Sequence, residues 1–161
     1  MPIKTKIVEG VKHFDYEDEK KDNVKLGIDT NIFVKIFESG DNLKELTELG
    51  GAIYTSQICF DELCKYVKKK ENQGPNEKDA KLIVDKFMEK NGIFLACEEV
   101  SIKERIKFEQ KCKKLGIDCH YPDSEIILAF KKEGVEIICS EDKGFKEAAE
   151  YLGMEALRLY A

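Results

Sequence analysis

Asp29 follows a mostly apolar stretch over residues 24–28, in Gly27-Ile28-Asp29-Thr30-Asn31. Asp142 follows a second such stretch over 135–139, in Cys139-Ser140-Glu141-Asp142, and Asp123 comes just after Pro122. Each has a plain structural use. Asp29 or Thr30 would serve as a helix N-cap, Asp123 would answer a helix dipole, and Asp142 would be an exposed turn residue. Glu62 is harder to place. Residues three and four apart share a helix face, so its neighbours are Ile58, Cys59, Lys65 and Tyr66, whereas Asp61 has Gln57 and Lys65. A carboxylate on a largely apolar face is costly unless it is paired or binds a cation. The alternative is a place at the edge of the stripe with the carboxylate in solvent.

Four such carboxylates brought together repel, and without a cation at least one would hold a proton. A hard divalent ion removes the conflict. Oxygen donors without Cys or His suit Mg2+ or Mn2+. Mg2+ takes one or two carboxylates directly and keeps several waters, which the other acids can hold. Such a site activates water and stabilises charge on a phosphate in transit. Other chemistries are poorly provided for. No Gly-rich phosphate loop is present, and with only two histidines, His13 and His120, a Ser-His-Asp set is unconvincing. The six cysteines, Cys59, Cys64, Cys97, Cys112, Cys119 and Cys139, include no CxxC pair, so a structural zinc site is not expected. Cys59, Cys64 and Cys139 read as small buried hydrophobes.

The acids need elements to carry them. The pattern predicts strands over 24–29, 52–55, 93–96, 135–139 and 156–160. It predicts helices over 30–38, 42–49, 56–70, 78–90, 102–115, 122–132 and 145–152, with a loop at 72–75. The helix from 56 should carry a Ser or Thr cap, and Pro122 sits in a first turn. Strands that are nearly all apolar, alternating with helices, indicate an α/β fold with a mostly parallel sheet covered on both faces. In such a sheet the strand carboxyl ends and the following helix starts share one edge, where ligands bind. Asp29, Asp123 and Asp142 should all fall there.

At 161 residues the chain is one ordinary domain. Residues 1–23 are highly charged and read as an extension ahead of a domain over 24–161, with Ile7, Val8 and Val11 pairing at a sheet edge. Charged residues make up 37 % and the net charge is -5, which leaves room for a local basic face. No apolar run approaches the ~20 residues of a membrane span. The start, Met1-Pro2-Ile3-Lys4, has no h-region. The expectation is a soluble cytoplasmic protein.

The order of four short motifs resembles the PIN domain, a family of metal-dependent ribonucleases. They are IDTNIF (28–33), TSQICFDEL (55–63), PDSEIILAF (122–130) and SEDKGF (140–145). The resemblance implies a three-layer α/β/α fold with a mostly parallel central sheet and an acidic Mg2+ or Mn2+ pocket. Its four acidic positions carry over onto Asp29, Glu62, Asp123 and Asp142, as catalytic and metal-holding residues. Thr30, Asn31 and Ser140 would support them, Ser140 as the small polar residue before the last aspartate. Glu141 and Glu125 read as solvated neighbours.

Phosphate binding beside four acids needs positive charge. Lys65 and Lys68 extend the helix of Glu62, and Lys143 and Lys146 follow Asp142. Further lysines load 103–114 and 131–132. Their alternative is a solvated, ion-paired surface. Tyr66, Tyr121 and Phe145 could stack on single-stranded bases or lie in the core. The function expected is an endoribonuclease acting on single-stranded RNA, in RNA processing or decay or as a VapC-type toxin. The partners expected are that RNA, an antitoxin or RNA-processing protein, and a second copy in a homodimer, with no membrane. A non-catalytic PIN-like scaffold is the main rival. A haloacid dehalogenase-like phosphatase is a weaker one, because Asn31 stands where its second Asp is needed.

Overall fold

The computed structural model describes residues 5–8, 11–14, 24–40, 51–70 and 77–157. The helix expected over 42–49, the loop at 72–75 and residues 15–23 lie outside the described residues.

The first two strands, β1 (Thr5–Val8) and β2 (Val11–Phe14), form an antiparallel hairpin. The expected edge pairing is therefore between these two strands; they form a sheet of their own, and β2 lies beside the last strand of the chain. The main body follows as β3 (Lys25–Ile28), α1 (Thr30–Ser39), β4 (Ala52–Ser56), α2 (Gln57–Lys70), α3 (Glu77–Asn91) and β5 (Ile93–Ala96). It continues as α4 (Ile102–Lys114), α5 (Asp123–Glu133), β6 (Ile137–Cys139), α6 (Lys143–Tyr151) and β7 (Glu155–Leu157). The five strands after the hairpin make one wholly parallel sheet in the order β5-β4-β3-β6-β7. The α/β class and the three layers are as expected. Among the described residues, no helix is long and apolar enough to cross a membrane.

Parallel strands covered on both faces read as nearly continuous apolar runs. Leu26, Ile28 and Ile138 are fully buried. Helices α1, α2 and α3 pack in succession on one side, and α4, α5 and α6 on the other. Phe87 of α3 meets Phe33 and Phe37 of α1, at ring distances of 6.2 and 5.1 Å. Gly27 admits α5, since a Cβ there would come within 3.0 Å of the Phe130 ring. Strand β6 is shorter than the strand expected over 135–139, which contains the exposed Glu136. The Val135 N–H is taken by the Phe130 carbonyl at 3.0 Å, which closes the end of α5 instead of joining the sheet.

The chain leaves β3 toward β4 and β5, then crosses back to place β6 on the other side of β3. The strand order reverses between β3 and β6. That reversal opens a crevice at the carboxyl ends of these two strands.

Candidate active site

Ile28 pairs with Cys139, so the next residues on the two strands meet in the crevice. The Ser140 hydroxyl donates to Asp29 Oδ2 at 2.5 Å. Asp29 Oδ1 accepts from the Ile32 N–H at 3.0 Å and caps α1. Asp142 does the same for α6, its Oδ1 accepting from the Phe145 N–H at 2.8 Å. The Asp142 N–H donates to Ser140 Oγ at 3.0 Å. One hydroxyl thus joins both aspartates. Asp142 is accordingly a cap and not a turn residue, and α6 begins at Lys143, two residues before the expected start.

Asp123 opens α5 from the far side of the crevice. No side chain caps this helix. Its first turn is fixed by the Ser124 N–H donating to the His120 carbonyl at 2.9 Å and by the Ser124 hydroxyl donating to Glu109 Oε1 of α4 at 2.8 Å. Glu62 comes from α2, which starts where β4 ends. The Ser56 hydroxyl accepts from the Cys59 N–H at 3.1 Å and provides the expected cap. Glu62 is half-buried, whereas Asp61 is exposed and accepts from Gln57 Nε2 at 3.1 Å.

Asp123 feels the other three acids. Burial pushes Asp123 up from 3.8 to about 6, and the charges of Asp142, Asp29 and Glu62 push the same way. Of the three charges, that of Glu62 adds the least. Asp29 is buried, and burial raises its pKa. The hydrogen bonds from Ser140 and Ile32 oppose that rise, while Asp142 and Glu141 add to it. Among the described residues, no three His, Cys, Asp or Glu side chains stand close enough to hold a metal ion between them. An ion such as Mg2+, which takes one or two carboxylates directly and keeps several waters, would need fewer of them.

Thr30 is half-buried and reaches the Cys59 thiol, while Asn31 is exposed in the first turn of α1. Glu141 pairs with Lys35 at 2.8 Å on the surface. Glu125 lines a different groove, beside Ser56 and Gln57. Lys143 is exposed and lines an open depression with Asp123 and Asp142. Lys65 and Lys68 are exposed on α2, and Lys146 is partly exposed on α6. Lys132 is held at the other end of α5 by Glu104 at 2.8 Å and the Glu99 carbonyl at 2.7 Å. Phe145 is 1 % exposed and belongs to the core, so it offers no face to a base. The six cysteines are all free thiols, and only Cys97 is exposed.

The sequence pattern of the PIN domain matches residues 27–151. The chain belongs to the PIN domain family. PIN domains are in general nucleases that use divalent metal ions. Solved structures share this PIN fold at low identity. VapBC2 from Rickettsia felis, bound to a DNA fragment from its promoter, is 18 % identical with a TM-score of 0.60, covering 84 % of this chain and 98 % of that one. VapBC-1 from nontypeable Haemophilus influenzae is 13 % identical with a TM-score of 0.60 over the same shares. PAE2754 from Pyrobaculum aerophilum is 12 % identical with a TM-score of 0.54, covering 83 % of this chain and 90 % of that one. No curated protein matches the chain.

Several residues that shape this PIN site carry no signal in the sequence. Gly144 is the sharpest case. A Cβ there would overlap the carbonyl oxygen of Asp118, so the first turn of α6 touches the backbone of the loop leading to Asp123. Alanine has the better helix propensity by about 1 kcal/mol, but overlap with backbone atoms cannot be relieved by a rotamer change. Gly144→Ala should therefore destabilise the protein by about 1–3 kcal/mol. It should also move Asp142 relative to Asp123. Thermal melting reads the first effect, and an unchanged melting temperature would show that the loop yields freely.

Proposed function

We propose that this PIN domain is an endoribonuclease that hydrolyses single-stranded RNA with a Mg2+ or Mn2+ ion held at Asp29, Glu62, Asp123 and Asp142. The observation that carries the reading is the placement of Asp29 and Asp142 on one Ser140 hydroxyl at the sheet's reversal point, with Asp123 lining the same depression as Asp142. Repulsion among such acids is retained at a cost, and a bound cation would offset it. When bound, the ion lowers the pKa of a water and draws negative charge off the scissile phosphate. Asp29, fixed by Ser140 and Ile32, cannot swing away and presents a set direction to the ion or its waters. Asp142 is fixed in the same way by Phe145. Among the described residues no such anchor holds the Asp123 carboxylate, which would complete the site from α5. Glu62 reaches in from α2 and would orient the attacking water. Lys65, Lys68, Lys143 and Lys146 would hold the sugar-phosphate strand, so binding should weaken steeply with salt.

The cellular role we favour is that of a VapC-type toxin held by an antitoxin in the cytoplasm. The support is the fold shared with VapBC proteins. A role in RNA processing would use the same site. The two are separated by whether a neighbouring gene product binds this chain and suppresses cleavage.

The test is incubation with a panel of RNAs in Mn2+, Mg2+ or EDTA, beside an Asp29→Asn control. Water as the nucleophile needs no substrate 2′-hydroxyl, so the products should carry 5′-phosphate and 3′-hydroxyl ends. End-labelling with and without prior phosphatase treatment reads this directly. Cyclic 2′,3′-phosphate ends would exclude the mechanism.

A further inference from the structure

The depression that contains Asp123 and Asp142 has an aromatic rim. Tyr121 lines it two residues before Asp123 and is 56 % exposed. Its ring is braced from below. The Arg105 guanidinium lies 4.7 Å from the ring centroid. Arg105 is half-buried and pairs with Glu109 Oε1 at 3.9 Å. The same oxygen accepts from the Ser124 hydroxyl at 2.8 Å. Ser124 is fully buried in the first turn of α5. Ring, guanidinium, carboxylate and hydroxyl are thus linked to the turn that begins with Asp123. A tyrosine needed only for the core would be covered, whereas this ring is exposed and yet held in place through two helices.

We infer that Tyr121 is the base-stacking residue of this site, taking the nucleobase of an unpaired nucleotide beside the phosphate that the cation and the flanking lysines would hold. The inference rests on the RNA reading above and adds the reason for single-strand preference. A base in a duplex has both faces covered by its neighbours, whereas an unpaired base can lie on the open face of Tyr121. Stacking tolerates any sequence because every base has a π-face. Arg105 under the ring adds a cation–π contact and a positive charge near the strand. The other aromatic candidates do not compete. Tyr66 packs against the core, and Phe145 lies within it.

The chain has no tryptophan, so Tyr121→Trp introduces a unique fluorophore. In an Asp29→Asn background, which spares the RNA, a single-stranded octaribonucleotide should quench its emission. An abasic strand of equal length should bind more weakly and leave the emission unchanged. Tyr151→Trp, at an exposed tyrosine packed near Phe108, should not respond. Binding measured by anisotropy of a labelled octamer should weaken about 5- to 150-fold in Tyr121→Ala, and be kept in Tyr121→Phe. Binding without quenching, or a Tyr121→Ala affinity equal to wild type, would overturn the stacking assignment and leave the RNA reading standing. No anisotropy change with any oligonucleotide would overturn both.

Discussion

Asp123→Asn should lower RNA cleavage by at least ~10²-fold, the scale of losing one preorganised electrostatic group, and leave the metal-free protein no less stable. The two halves follow from different properties of one carboxylate. In the proposed function it is part of the charge that would hold a cation, and it lines one depression with Asp142. Its raised pKa shows that the folded protein disfavours its ionised form. Below about 3.8 the side chain is protonated in both folded and unfolded chains, and no penalty exists. Between 3.8 and about 6 the unfolded chain ionises while the folded one still holds its proton, so folded stability falls as pH rises through that window. Above it the loss is constant. Asp123 is half-exposed and solvent screens the effect, so the loss is on the order of 1 kcal/mol. Asparagine removes the charge and with it the pH dependence. Single-turnover cleavage and melting curves at pH 5 and pH 7.5 measure both. A variant that cleaves normally would remove Asp123 from the site. A variant that melts well below wild type would make it a structural residue.

EDTA should abolish cleavage, and Mg2+ or Mn2+ should restore it and raise the melting temperature. A ligand at a hundred times its dissociation constant stabilises by about 2.7 kcal/mol. For a chain of this size that is roughly 5–10 °C. The gain should be larger at pH 7.5 than at pH 5, because a cation competes with the proton that Asp123 holds below about 6. Asp29→Asn should remove most of the thermal gain yet keep the α1 cap, since Asn caps as well as Asp. Cleavage that persists in EDTA would reject a metal-dependent mechanism. A thermal gain equal in wild type and Asp29→Asn would place the cation elsewhere.

The parts of this site that can be read without coordinates are those fixed by local pattern. Asp29 and Ser140 follow mostly apolar stretches, and a parallel sheet puts such positions at one edge. Glu62 stands out from Asp61 through helical period alone, and Gln57 does bond Asp61. What escapes depends on which segments meet. Lys143 and Gly144 are weak helix-start signals, so the first turn of α6 and the capping role of Asp142 are hidden. The Gly144 contact with Asp118 joins a helix start to a loop that the sequence leaves unrelated. The bracing of Tyr121 by Arg105 depends on how α4 packs against α5. Phe145 is adjacent to site residues in sequence, but the burial of one face of α6 turns it inward.

Asp29 and Asp142 each cap a helix, so α1 and α6 both direct their amino ends at the crevice. A helix amino end carries roughly half a positive charge. Two of them offset about one carboxylate's worth of negative field before any cation arrives. An incoming polyanion therefore meets a weaker barrier than four acids would impose, which favours faster encounter at low salt. Lengthening the reach of that field is the business of the surrounding lysines; near the crevice itself, the backbone supplies it.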